Sequence, residues 1–169
     1  MVNEKDAEVL KDGGSSDYAL GGKGSTFKPV TADRLLYDGD SITLGNMKLV
    51  MLHHPGHTKG SSSFLLTVTD AQRSYKVLIA NMPTIVTDSS FAAIPNYTTI
   101  AADYAYTLKA MKNISFDIWL ASHASQFELH TKHKPGDSYN PAAFVDQAGY
   151  DAAIRDLEKQ YEEKIKKNE

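Results

Sequence analysis

Two neighbouring pairs of alternating apolar and polar segments constrain this chain's fold most. In "DGDSITLG" and "MKLVMLHH" the alternation turns about Gly45-Asn46, as in a β-hairpin with a tight turn. "SSFLLTV" and "SYKVLIA" repeat the pattern across the polar linker "TDAQR". Pro83 in the following "NMPTIV" has no N–H for a ladder, so a loop is expected there. Helical spacing takes over downstream. Ile100, Tyr104, Leu108 and Met111 predict an amphipathic helix from about Tyr97 to Lys112, with Asn113 as its stop. "FDIWLA" reads as a short buried strand, and Tyr150, Ile154, Leu157, Tyr161 and Ile165 trace one face of a terminal helix. A short helix over Glu4 to Leu10, stopped by Gly13-Gly14, precedes an irregular loop. Strands mixed with helices predict an α/β layered architecture, with residues 1–169 as a single domain.

The formal net charge is −3 and acids and bases are well mixed, so neither a nucleic acid nor a membrane is indicated as a partner. No apolar run approaches the roughly 18 residues of a membrane span. "MVNEKDAEVLKDGG" lacks the pattern of a signal peptide. With no cysteine, a metal could be held only by His, Asp or Glu. "GSSSF" lacks the Gly-x-Ser-x-Gly elbow that exposes a serine nucleophile.

Three of the six histidines cluster in "LHHPGHTKGSS". Pro55 ends the strand and Gly56 allows a sharp turn, aiming His57 off the strand's carboxyl end. It reads either as a metal ligand or as a hydrogen-bonded loop histidine. His123 has the same setting after "FDIWLA", with small neighbours Ser122 and Ala124, which favours a shared site. Strand alternation sends His53 and His54 to opposite faces, so both are expected to be scaffold. His130 and His133 are spaced for chelation on a helix, but Lys132, Lys134 and Pro135 suggest a solvated segment instead.

The stretch "DGDSITLGNMKLVMLHHPGHTKGS" closely resembles the metallo-β-lactamase superfamily, in which a strand hairpin delivers a Pro-Gly-His-Thr turn carrying a zinc ligand. "YKVLIANMP", "AADYAYTLKAMK", "FDIWLASHASQFELHTK" and "YNPAAFVD" are similar to the third subclass of class B β-lactamases, above all the GOB-type enzymes. Glyoxalase-type and lactonase-type dizinc hydrolases of that superfamily place a bridging aspartate where "ANMPTI" offers Met82, and a thioether cannot replace that carboxylate on zinc. The resemblance implies the second half of an αββα sandwich. It makes His57 a ligand of one zinc ion and His123 a ligand of the other, with Met82 and Thr84 bordering the substrate. The implied reaction is hydrolysis of the β-lactam ring of an antibiotic, in a bacterial periplasm.

The family's His-x-His-x-Asp-His run, with glutamine for the first histidine in GOB-type enzymes, has no counterpart here. That run supplies the remaining zinc ligands and the aspartate that orients the attacking water, leaving one histidine per Zn2+ in this chain. A zinc site needs three or four protein ligands. The expectation is therefore a carboxyl-terminal portion of a longer enzyme, inactive alone, that exposes a sheet face prone to self-association. Two alternatives stand beside it: a non-catalytic lactamase-like module that self-associates, and a hydrolase of another ester, lactone or thioester.

Overall fold

The computed structural model describes residues 1–22 and 24–166. Its centre is a five-stranded sheet in the order β3-β4-β5-β6-β7, formed by Ser41–Leu44, Met47–His53, Ser62–Thr69, Ser74–Ala80 and Ile118–Ala121. A separate parallel pair joins β1 (Val2–Asn3) to β2 (Leu35–Leu36), which the sequence pattern did not announce. Both expected hairpins are present. Leu44 pairs with Met47 across Gly45-Asn46, and Gly45 has φ +57°, the sign that primed hairpin turns demand of their first central residue. Thr69 pairs with Ser74, and Asp70 Oδ1 closes that turn by accepting the N–H groups of Gln72 and Arg73.

β6 and β7 are parallel, with Val77 opposite Ile118 and Ala80 opposite Ala121. A parallel pair needs a crossover. Residues 81–117 provide it and contain helix α2, Ile100–Met111. This helix starts at Ile100 rather than near Tyr97. Tyr97 is buried, but its N–H bonds Ile94 in a preceding turn, so its apolar spacing reflects packing and not helix. The first expected helix begins as a 3-10 turn over Glu4–Asp6 and continues as α1, Ala7–Lys11.

One face of the sheet carries the core. Leu78, Ala80 and Trp119 pack against Leu108 and Met111 of α2, and against Tyr150, Ile154 and Leu157 of the terminal helix α4, Gln147–Lys166. The α4 face is the one its apolar spacing predicted. Polar tips inside this core are satisfied: Trp119 Nε1 donates to Asp146 O at 2.8 Å and Tyr150 Oη to Met111 O at 3.0 Å. The "HTKH" segment is exposed at His130, Thr131 and His133, as expected, and departs from that only at Lys132. Lys132, at the end of α3 (Leu129–Lys132), has a side chain only 11% exposed, reaches Asp146 Oδ2 at 2.6 Å and lies 5.3 Å from the Trp119 ring centroid. Its aliphatic stem and its charge both find partners against the core.

Alternation sends Phe64, Leu66, Val77, Ile79, Ile118 and Leu120 to the opposite face. Short pieces cover it there: the amino-terminal strand near Met51 and Phe64, and the 3-10 turn Pro141–Phe144 near Val77 and Ile118. An apolar groove of about 440 Å³ remains between Leu66, Ile79, Leu120, Tyr139 and Phe144. No helix among the described residues is long and apolar enough to cross a membrane.

Truncating Ile154, 1% exposed beneath Trp119, to alanine is expected to lower the unfolding free energy by about 2–5 kcal/mol. Leu44→Ala, at a side chain 80% exposed, is expected to change it by less than about 0.5 kcal/mol. Urea unfolding followed by circular dichroism measures both.

Candidate metal centre

The strand directions bring the candidate residues to one end of the sheet. β4 and β5 are antiparallel, β5 and β6 are antiparallel, and β6 and β7 are parallel, so β4, β6 and β7 all run the same way. The segments that leave their carboxyl ends carry His57, Thr84 and His123, respectively.

His57 sits in a turn built around Gly56, whose φ of +134° suits glycine. A Cβ there would lie 2.9 Å from the ring of Tyr104, so glycine is required by space as well as by conformation. His57 Nδ1 lies 2.8 Å from Thr84 O. A carbonyl oxygen can only accept, so Nδ1 carries a proton, and in the neutral imidazole Nε2 then keeps its lone pair. Thr84 Oγ1 lies 3.1 Å from the same Nδ1. A metal-binding imidazole characteristically has one nitrogen committed in this way while the other ligates.

The far side of the turn is tied down by Asp6. Its Oδ2 accepts the Thr58 hydroxyl at 2.6 Å and its Oδ1 accepts the Gly60 N–H at 2.7 Å. Gly60 has no room for a side chain, because a Cβ would meet the Asp6 carboxyl carbon at 2.6 Å. Sequence reading missed Asp6 entirely, since nothing in its spacing connects it to a turn more than fifty residues away.

His123 follows β7 and opens a 3-10 turn over Ala124–Phe127, its N–H donating to Gln126 Oε1 at 3.2 Å. The residue is exposed. Thr84 is half-buried beside the His57 ring. Met82 is 4% exposed and packs within the core cluster that contains Leu78, Leu108 and Trp119. His53 Nε2 donates to Lys59 O at 2.8 Å, while His54 is 3% exposed with its Nδ1 2.7 Å from Ser63 Oγ. Both therefore have local partners that occupy one ring nitrogen. His130 and His133 are exposed on and beside α3.

The solved structure of LRA-12, a class B3 di-zinc metallo-β-lactamase from an Alaskan soil metagenome, matches 96% of this chain with 64% identity and a TM-score of 0.94. The chain belongs to the metallo-β-lactamase superfamily. Within it, the metallo-β-lactamase GOB-18 from Elizabethkingia meningoseptica is also similar, at 55% identity over 98% of the chain with a TM-score of 0.95. Among curated proteins, an acyl-coenzyme A thioesterase from Gallus gallus is 30% identical over 86 residues, 51% of this chain. No family model matches the sequence. The chain spans 62% of the length of LRA-12 and of GOB-18, and the match spans 28% of the thioesterase.

Among the described residues, no group of three or more His, Cys, Asp or Glu could hold a metal ion. The His57 imidazole has one ring nitrogen held by Thr84 O, but the described residues do not by themselves make a zinc centre.

Burial lowers the pKa of His54 from 6.5 to about 4, helped by neighbouring His53 and opposed by Asp38. Because the folded value lies below the unfolded one, the unfolded chain binds the extra proton between those two pH values. Stability is then expected to fall as pH drops from 6.5 towards 4, by roughly 3 kcal/mol at most. Denaturant titrations across that window should show the slope in the wild type and a shallower one in His54→Gln.

Proposed function

We propose that this chain is the carboxyl-terminal part of a zinc-dependent hydrolase that opens the β-lactam ring of antibiotics. His57 through Nε2 and His123 each give one imidazole to a separate ion, and the other ligands come from an amino-terminal part of the same fold. The observation that carries this reading is the Nδ1–H bond from His57 to Thr84 O, which leaves Nε2 available at the end of the sheet where His123 also emerges. Held by His57 and His123 together with those other ligands, zinc would supply Lewis acidity for the hydrolysis. What this chain does is narrower: it orients one imidazole, presents a second, and places beside His57 a cavity of about 400 Å³ that Asn81, Ser62 and Phe64 also line. Met82 and Thr84 border the substrate on this reading, Met82 through the 4% of its surface that the core leaves exposed. By family resemblance the site of action is the periplasm.

A thioester or other ester substrate is the second reading, favoured by the similarity to the chicken thioesterase. Met82, standing where such hydrolases carry a bridging aspartate, weighs against it.

The purified chain is expected to retain less than one zinc per molecule after dialysis and to leave a chromogenic cephalosporin intact. Co-refolding it with the amino-terminal part of a class B3 enzyme should produce zinc-dependent cephalosporin turnover that His57→Ala abolishes. Turnover by the chain alone, or a mixed assembly that cleaves acyl thioesters and spares cephalosporins, would sink this assignment. The uncovered apolar sheet face also predicts association of the lone chain, visible as a concentration-dependent rise in weight-average mass on sedimentation.

A further inference from the structure

Four successive carbonyls of the His57 turn each accept a side-chain hydroxyl. Thr107 Oγ1 donates to Pro55 O at 2.6 Å, Tyr18 Oη to Gly56 O at 3.3 Å and to His57 O at 3.1 Å, and Tyr97 Oη to Thr58 O at 3.4 Å. A fourth hydroxyl acts one step away. Tyr104 Oη donates at 2.9 Å to Thr84 O, the same oxygen that takes the His57 Nδ1 proton. A carbonyl oxygen has two lone pairs, so the two donors fill it.

Tyr104 and Thr107 are three residues apart on one face of α2, and both are fully buried. The Tyr104 ring is immobilised by a stacked Phe91 at 5.4 Å and by the Gly56 backbone beneath it. Burial also pushes its phenol well above the usual tyrosine range, so the hydroxyl stays a donor.

We propose that Tyr104 is a positioning residue for His57: its hydroxyl holds the Thr84 carbonyl in place as the acceptor of Nδ1–H and thereby keeps Nε2 the unprotonated nitrogen. Helix α2, rather than the strand that precedes the turn, is the template for the imidazole. The functional meaning rests on His57 being a ligand, but the hydrogen-bond relation does not, and it can be measured with no metal bound.

The test is nitrogen-15 imidazole correlation spectroscopy on the full chain at mildly alkaline pH. The wild type should show His57 as a single Nδ1–H tautomer. Tyr104→Phe, with its fold checked by circular dichroism, should move the two ring nitrogens towards averaged shifts and speed Nδ1–H exchange about fivefold, as expected for one lost hydrogen bond. Tyr161→Phe is the control. Its ring packs against Tyr104 at 6.4 Å, but its hydroxyl bonds Ala101 O, so His57 should not respond. If Tyr104→Phe fails to fold, 4-fluorophenylalanine at position 104, which fills the space of the hydroxyl but has no proton to donate to Thr84 O, should move the two ring nitrogens in the same way. Unchanged His57 signals in the folded phenylalanine variant, or in the fluorinated protein, overturn the proposal. An intact coupling together with failure of His57→Ala to affect the zinc-loaded assembly would instead refute the ligand reading alone.

Discussion

The parallel pairing of β6 with β7 is the constraint on which the rest depends. Two parallel neighbours cannot be joined by a tight turn, so the chain must leave the sheet after Ala80, cross it and return at Ile118. That crossing puts α2 on the sheet, where its buried face closes the core. It puts Thr84 at the start of the crossing, beside the turn that follows β4. It also makes β7 run in the same direction as β4, so that His57 and His123 emerge at the same end. Had β7 entered antiparallel, the two histidines would emerge at opposite ends of the sheet.

The sheet is finished on one face only. Trp119, Leu78 and Tyr150 lie in a core whose polar tips all have partners, and a charged Lys132 is seated against it with Asp146. The opposite face carries aliphatic side chains of comparable size, covered at two points by short segments and otherwise lining an open groove. This asymmetry accords with a chain that spans 62% of the length of its solved class B3 relatives.

Much of the architecture was legible from local pattern. The hairpins over residues 41–53 and 62–80 follow from period-two alternation and from turn residues that suit their geometry. The buried face of α4 follows from its spacing. Reading failed where packing imitated a local pattern. Tyr97 continues the apolar spacing of α2 yet belongs to a turn, and Lys132 is charged yet lies against Trp119.

The same division runs through the site. By itself the sequence determined that His57 is the histidine aimed off a strand end, because proline, glycine and strand alternation are local matters. Only the tertiary structure decided which nitrogen of His57 carries its proton and what holds the ring. Thr84, Tyr104 and Asp6 act from 27 to 52 residues away or through one another, and hydrogen bonds between such distant positions leave no periodic trace in a single sequence.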